Sequence, residues 1–123
     1  MKPYSSVVFL PCTDINRTVY FYKDLLGLPV DSRQSDSLYI FDTGAGYWGF
    51  CMYKDGRPPL SGPRGACLSV NLSSPEEVLE KYEELKDICP VYRGPAKHPD
   101  FPVFSFFLTD PDGYLVEFQN VQS

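Results

Sequence analysis

Few side chains in this chain could do chemistry, and the clearest candidate is a single acid. Glu117 stands in the C-terminal segment Asp110-Pro-Asp-Gly-Tyr-Leu-Val-Glu-Phe118, among apolar neighbours. A carboxylate left unpaired in such surroundings has a raised pKa and could act as a general base or hold a cationic group. Glu117 is therefore the candidate catalytic residue. The alternative is a carboxylate that only forms hydrogen bonds inside the fold.

Four further residues are candidates for ligand contacts, each with a plainer alternative. Trp48, the only tryptophan, would stack on a planar ligand if it faces a pocket, or else fill the core. Arg93 and His98 lie in a segment predicted to be a loop, where a cation could meet an anionic ligand and a histidine could supply a proton. Both could also be simply solvated. Cys67 is predicted to be a small buried apolar residue, with a reactive or metal-binding thiol as the alternative.

The cysteines and the missing motifs exclude several classes of protein. Cys12, Cys51, Cys67 and Cys89 have no C-x-x-C spacing, so neither a disulfide framework nor structural zinc is expected. No phosphate-binding glycine loop and no Gly-x-Ser-x-Gly motif is present. Without a leader or a long apolar run, we predict a cytoplasmic protein with reduced thiols and no membrane partner.

The composition is that of an acidic globular protein. The chain has 123 residues, a formal net charge of −5 and a sequence pI of about 4.7. Because no basic stripe is present to neutralise phosphates, we expect no nucleic-acid partner. The length predicts one domain spanning residues 1–123. Within it we predict a module at about 1–54, a linker rich in Pro and Gly at 55–64 and a second module at about 65–123.

These modules are predicted because the chain contains an internal repeat. A segment near the end of the first copy, Gly46-Tyr-Trp-Gly-Phe-Cys51, aligns with Gly113-Tyr-Leu-Val-Glu-Phe118 in the second at an offset of 67 residues. Asp14 aligns with Ser74 at an offset of 60. Each copy shows a strand, a capped helix and three further strands. A period near half the chain indicates two similar units that each bury a face. The predicted order is therefore βαβββ, twice.

The motifs of both copies resemble those of the vicinal oxygen chelate superfamily, which includes glyoxalase I, bleomycin-resistance proteins and extradiol dioxygenases. The matching segments are Asp14-Ile15, residues 21–28 and residues 110–118. The resemblance implies an α+β fold in which the two βαβββ modules form an open, cup-like eight-stranded barrel. It also implies a small-molecule ligand in the cup and a homodimer, since many of these proteins pair. It does not imply one reaction.

Strand alternation predicts which side chains face the cup. In the last strand, Leu115, Glu117 and Gln119 share one face. The offset of 67 places the first copy's Trp48, Phe50 and Met52 on the equivalent face. From the opening strands, the cup should receive Val7, Phe9, Cys67 and Ser69. The predicted ligand-binding set is Val7, Phe9, Trp48, Phe50, Met52, Cys67, Leu115, Arg93 and His98.

The resemblance also implies four metal-ligand positions, which fall on Val7, Phe50, Cys67 and Glu117. Only Glu117 matches the family pattern, because Val7 and Phe50 offer no donor atom. We therefore predict no metal and no cofactor. The alternative is a divalent metal in a rearranged site made from Glu117, Cys67 and His98.

Three functions remain open at this level. The first is a metal-independent small-molecule-binding protein that sequesters an aromatic or cationic compound, with Glu117 as the polar anchor. The second is a metal-dependent lyase or dioxygenase with the rearranged site. The third is a structural or interaction role in which side chains of the chain itself fill the cup.

Overall fold

The structure is a computed structural model that describes residues 1–122 and divides into two compact units, Met1–Leu60 and a second that begins at Ser61. The first unit contains β1 (Val7–Pro11), α1 (Ile15–Val19), β2 (Val30–Ser35), β3 (Leu38–Asp42) and β4 (Tyr47–Cys51). The second contains β5 (Cys67–Asn71), α2 (Pro75–Leu85), β6 (Val91–Lys97), β7 (Val103–Thr109) and β8 (Leu115–Val121). Among the described residues, no helix has the length and apolar character required to cross a bilayer.

Each unit forms a mixed four-stranded sheet with the same strand arrangement. The orders are β1-β4-β3-β2 in the first unit and β5-β8-β7-β6 in the second. The opening strand runs parallel to the closing strand because a helix connects it to the rest of its sheet, whereas the other pairs are antiparallel. Both units are therefore βαβββ modules, which confirms the predicted α+β class.

The first helix begins as predicted but does not stay α-helical to its end. The side chain of Asp14 caps it by accepting hydrogen bonds from the backbone of Asn16 and Arg17 at 3.1 and 3.3 Å. After α1, residues 20–25 form a wider π-type segment, in which the Leu26 amide donates to the Phe21 carbonyl at 2.9 Å. Gly27, at φ +76°, then ends the helix.

The second helix is capped by serine and glutamate at its start. Ser74 accepts a hydrogen bond from the Glu77 amide at 3.1 Å, and Pro75 occupies the first helical position. The Glu77 carboxylate reaches back to Ser73, one residue earlier than in the usual capping box, and accepts from its amide and hydroxyl at 3.2 and 2.7 Å. These bonds fix the point where the chain turns from β5 into α2.

Each sheet packs one face against the helix of its own unit. In the first unit, the fully buried ring of Tyr22 stacks on Phe50 with centroids 4.4 Å apart. In the second, Tyr82 on α2 meets Phe106 at 5.4 Å, and Phe106 stacks on Phe118 at 5.3 Å. We call the other side of each sheet its helix-free face, because the helix of that unit does not cover it.

Candidate functional site

The candidate site is a row of four side chains that crosses the helix-free face of the second sheet. The strand register pairs Arg93 with Phe107, Phe107 with Glu117, and Glu117 with Ser69. Directly paired residues on neighbouring strands point to the same side, so one side chain from each strand belongs to the row. The row brings a cation, an aromatic ring, an acid and a hydroxyl together from residues up to 48 positions apart.

Glu117 has a hydrogen-bond donor from the neighbouring strand. The hydroxyl of Ser69 donates to its Oε1 at 2.6 Å, and the Ser69 oxygen also lies 3.6 Å from Cys67 Sγ. The Glu117 side chain is half-buried. The acid is therefore oriented by Ser69 rather than left unpaired among aromatic rings.

The Cys67 thiol at this site is a weak nucleophile. Partial burial of the sulfur raises its pKa; the Ser69 hydrogen bond lowers it, and the nearby Glu117 charge raises it further. Since the thiolate is the reactive form, the site disfavours cysteine chemistry. The prediction that Cys67 is buried is wrong, because the residue as a whole is exposed at the start of β5.

Arg93 lies in β6 and not in a loop, which corrects the sequence-based assignment. Its guanidinium lies over the ring of Phe107 at 4.9 Å from the centroid. Nη2 donates to the carbonyl and the hydroxyl of Ser105 at 3.2 and 2.7 Å, and Ser105 is only 1% exposed. The cation is therefore held in one orientation on the helix-free face.

A β-bulge shapes the end of the row next to Arg93. Val91 pairs with Leu108 and Arg93 with Phe107, so Tyr92 is an extra residue in β6. Its ring lies at right angles to Phe107, with centroids 6.5 Å apart. Tyr92 also borders a cavity of about 400 Å³ that is lined by Gly62, Pro63, Gly65, Tyr92, Thr109, Gly113 and Leu115.

The predicted face of the first copy's closing strand is wrong. Trp48 and Phe50 are buried against the helix side, where both contact Tyr22. The Met52 sulfur accepts a hydrogen bond from the amide of Ile15, the first residue of α1, at 3.1 Å. None of Trp48, Phe50 and Met52 lies on the helix-free face of the first sheet.

The error comes from the offset between the copies. Phe9 pairs with Gly49 in the first sheet as Ser69 pairs with Glu117 in the second, so Gly49 is the counterpart of Glu117. The true offset is 68, whereas the glycines that precede these strands suggested 67. A slip of one residue transfers every side chain of a strand to the opposite face.

The helix-free face of the first sheet carries Val7 and Phe9, as predicted. The Phe9 ring lies over Gly49 so closely that a Cβ built at Gly49 would be 2.6 Å from Phe9 Cδ1. At the position where the second unit carries an acid, the first therefore carries an aromatic ring over a glycine. Gly49 itself therefore supplies no polar counterpart to Glu117.

His98 is occupied in shaping its own turn. Its Nδ1 accepts hydrogen bonds from the amides of Asp100 and Phe101 at 3.0 and 3.2 Å, and its ring lies 4.6 Å from that of Phe101. It follows the end of β6 that is remote from Tyr92. His98 therefore lies beyond the far end of β6 and does not belong to the row.

The side chains do not fit the divalent metal that the resemblance implies. With the corrected register, the four equivalent positions are Val7, Gly49, Cys67 and Glu117, and two of them have no donor atom. Within residues 1–122, no group of three or more His, Cys, Asp or Glu side chains is arranged to hold an ion. One carboxylate and one thiol are fewer ligands than a zinc site needs.

Sequence reasoning missed Phe107, Tyr92 and Ser105. Alternation along β7 places Ser105, Phe107 and Thr109 on one face. It could have identified Ser105 and Phe107, since Glu117 was already placed on that face of the adjoining strand. The bulge at Tyr92 has no comparable signal in the sequence. It depends on how β6 pairs with β7.

The fold and the sequence identify the family. The sequence model of the Glyoxalase/Bleomycin resistance protein/Dioxygenase superfamily matches residues 5–118. The chain therefore belongs to this superfamily, as its motifs predicted. No curated protein matches it.

Solved structures show the same fold at low sequence identity. A glyoxalase/bleomycin resistance protein/dioxygenase from Nocardioides is 23% identical, with a TM-score of 0.75 over 100% of this chain and 86% of that one. Lactoylglutathione lyase from Agrobacterium tumefaciens is 21% identical, with a TM-score of 0.76 over 98% and 96%. TioX from Micromonospora sp. ML1 is 19% identical, with a TM-score of 0.73 over 98% and 100%. At these identities the likeness concerns the fold alone.

Proposed function

We propose that this protein binds a small aromatic, cationic molecule without a metal ion and acts by sequestering it. The ligand would lie on the helix-free face of the second sheet, where Glu117 would hold its cationic group. The observation that carries the proposal is the row of Arg93, Phe107, Glu117 and Ser69 across all four strands. It combines a small number of polar groups with an aromatic surface, as ligand sites commonly do.

The row favours binding over catalysis because it lacks an acid–base pair. Proton-transfer catalysis needs a donor and an acceptor placed at the reacting atoms. Glu117 accepts a hydrogen bond from Ser69, burial raises the pKa of the Cys67 thiol, and His98 uses Nδ1 within its turn. A carboxylate with one hydroxyl neighbour is well suited to orient a cation.

The experiment is a titration of ¹⁵N-labelled protein with benzylamine, followed by amide chemical shifts. We expect shifts centred on Glu117 and Phe107, and loss of about tenfold in affinity in Glu117→Gln, since a hydrogen bond to a charged group is worth about 1.5–3 kcal/mol. Glu80→Gln, which removes an exposed acid from α2, serves as the control. Equal affinities for wild-type protein and Glu117→Gln would disprove the anchor role.

The alternative function, a metal-dependent lyase or dioxygenase with a rearranged site, predicts a different result. Protein purified without chelator would then contain about one tightly bound ion per chain and would gain thermal stability on addition of Zn²⁺, Ni²⁺, Mn²⁺ or Fe²⁺. Our proposal expects neither. Elemental analysis and melting curves decide between the two.

We also propose that the protein forms a homodimer. Sheet edges need cover, and β1 carries exposed Val7, Val8 and Phe9 at one edge of its sheet. Light scattering after size exclusion should give twice the mass of the 14.0 kDa chain. A mass equal to one chain would contradict the proposal.

A further inference from the structure

We propose that Arg93 binds an anionic group of the same ligand, so that the ligand is an aromatic zwitterion with an amine at one end and an oxyanion at the other. This rests on the proposed function and specifies its ligand class. The structural basis is the position of Arg93 in the row: it lies on the strand two removed from that of Glu117, with Phe107 between them.

The orientation of Arg93 leaves hydrogen-bond donors for a ligand. Guanidinium carries five N–H donors, and Ser105 takes those of Nη2. Within residues 1–122, no carboxylate lies within ion-pair distance of Arg93, whereas Arg33 and Arg57 each pair with an aspartate. Arg93 is thus a fixed cation whose Nε and Nη1 still carry donors, each of which can bond an oxygen of an anionic group.

The surroundings of Arg93 show that the cation is built into the sheet. Its guanidinium donates a hydrogen bond to Ser105, which is 99% buried, and stacks on the Phe107 ring. The Arg93 side chain is itself only partly exposed. The neighbouring cation on β6 is different: Lys97 pairs with Phe104, which alternates with Ser105 and therefore points to the opposite side of the sheet. Arg93 and Lys97 consequently present their charges on different faces.

The spacing of the two anchors defines the size of the ligand. Adjacent strands lie about 4.8 Å apart, so the backbones of Arg93 and Glu117 are about 10 Å apart. The two side chains rise from the same face of the sheet, so a benzene ring with substituents at opposite ends can reach both of them across Phe107. Its face can stack on the guanidinium or on Tyr92, which adjoins Phe107.

The test compares 4-(aminomethyl)benzoate with its methyl ester, because the ester lacks the negative charge and adds only a methyl group. Amide chemical shifts of the labelled protein supply the affinities. For wild-type protein we expect the acid to bind about tenfold more tightly than the ester, as one charged hydrogen-bonded pair provides. In Arg93→Gln the ratio of the two affinities should fall to about one, whatever the change in affinity for the ester itself.

Two variants guard against a purely structural explanation. Arg93→Lys keeps the charge but loses the planar fork, so it should retain part of the preference for the acid if folding is intact. Lys97→Gln removes one charge from the opposite face and should retain all of it. A preference for the acid that persists in Arg93→Gln, or that is lost equally in Lys97→Gln, would overturn the assignment.

The result also separates this inference from the proposed function. If the ester binds through Glu117 but the acid gains nothing, Arg93 is not an anchor and the proposed function stands. If the acid gains affinity through Arg93 but Glu117→Gln has no effect on the ester, the Glu117 anchor fails and the Arg93 anchor stands. If neither compound shifts residues of the row, both proposals fail.

Discussion

The Ser69 hydroxyl donates a hydrogen bond to Glu117 Oε1 on the neighbouring parallel strand, with the two oxygens 2.6 Å apart. The bond explains how an acid is accommodated in a strand whose other face is packed with aromatic rings. It also connects Glu117 to Cys67, because the Ser69 oxygen lies 3.6 Å from the sulfur. The charge of Glu117 and the hydrogen bond of Ser69 should therefore both affect the pKa of the Cys67 thiol.

Alkylation of Cys67 tests this connection. Burial raises the pKa of the thiol and the Glu117 charge raises it further, so reaction with iodoacetamide at pH 8 should be slow. Glu117→Gln removes the negative charge and should accelerate the reaction. Peptide mass spectrometry across a pH series measures the rate at this site, with Cys67→Ser to confirm the peptide. A slower reaction in Glu117→Gln would show that the carboxylate does not raise the pKa of the thiol.

Phe50 should contribute to stability and not to ligand binding. Its ring is fully buried and stacks on Tyr22, so Phe50→Ala should cost about 3–5 kcal/mol of unfolding free energy in urea titrations. Phe9→Ala is the matched control, since Phe9 is 45% exposed and its truncation should cost much less. Similar losses in the two variants would contradict the corrected register of β4.

The contact between Phe9 and Gly49 should appear as an energetic coupling. A methyl group at Gly49 would lie 2.6 Å from the Phe9 ring, which would have to move, so Gly49→Ala should cost about 1 kcal/mol or more. In a Phe9→Ala background the same change should cost less, because Gly49 has no left-handed φ that would strain an alanine. A double-mutant cycle by urea unfolding measures the difference. Additive effects would show that the ring does not cover the glycine.

The start of α2 should contribute a pH-dependent part of the stability. The Ser73 hydroxyl, followed by its amide, lowers the pKa of Glu77 below its ordinary value of 4.5. A lowered pKa in the folded state stabilises the protein above pH 4.5, and this contribution is lost as the pH falls through the folded pKa. The stability difference between wild-type protein and Glu77→Gln should therefore shrink in acid.

Ser73→Ala provides the control for that pH dependence. It removes the hydroxyl donor that contributes most to the lowered pKa of Glu77. Melting temperatures between pH 3 and pH 7 should show a weaker acid loss in this variant than in wild-type protein. An unchanged profile in both Glu77→Gln and Ser73→Ala would mean that the Ser73–Glu77 bonds do not form in solution.

Much of the fold follows from local chemistry that the sequence states directly. Asp14 and Ser74 cap the two helices because their side chains supply acceptors for the first free amides. Alternation in β8 correctly placed Leu115, Glu117 and Gln119 on one face, and the structure buries Val116 and Phe118 on the other. These signals are local, so a single sequence was enough to interpret them.

The site required information of another kind. Alternation divides a strand into two faces but does not say which face meets the helix, and in β4 this was decided by the packing of Trp48 and Phe50 against Tyr22.

The sequence by itself thus determined the two βαβββ modules, their family and the face of β8 on which Glu117 lies. Only the tertiary structure paired Ser69 and Phe107 with Glu117 and placed Arg93 in the same row, because strand register and a bulge at Tyr92 are set by pairing between distant segments.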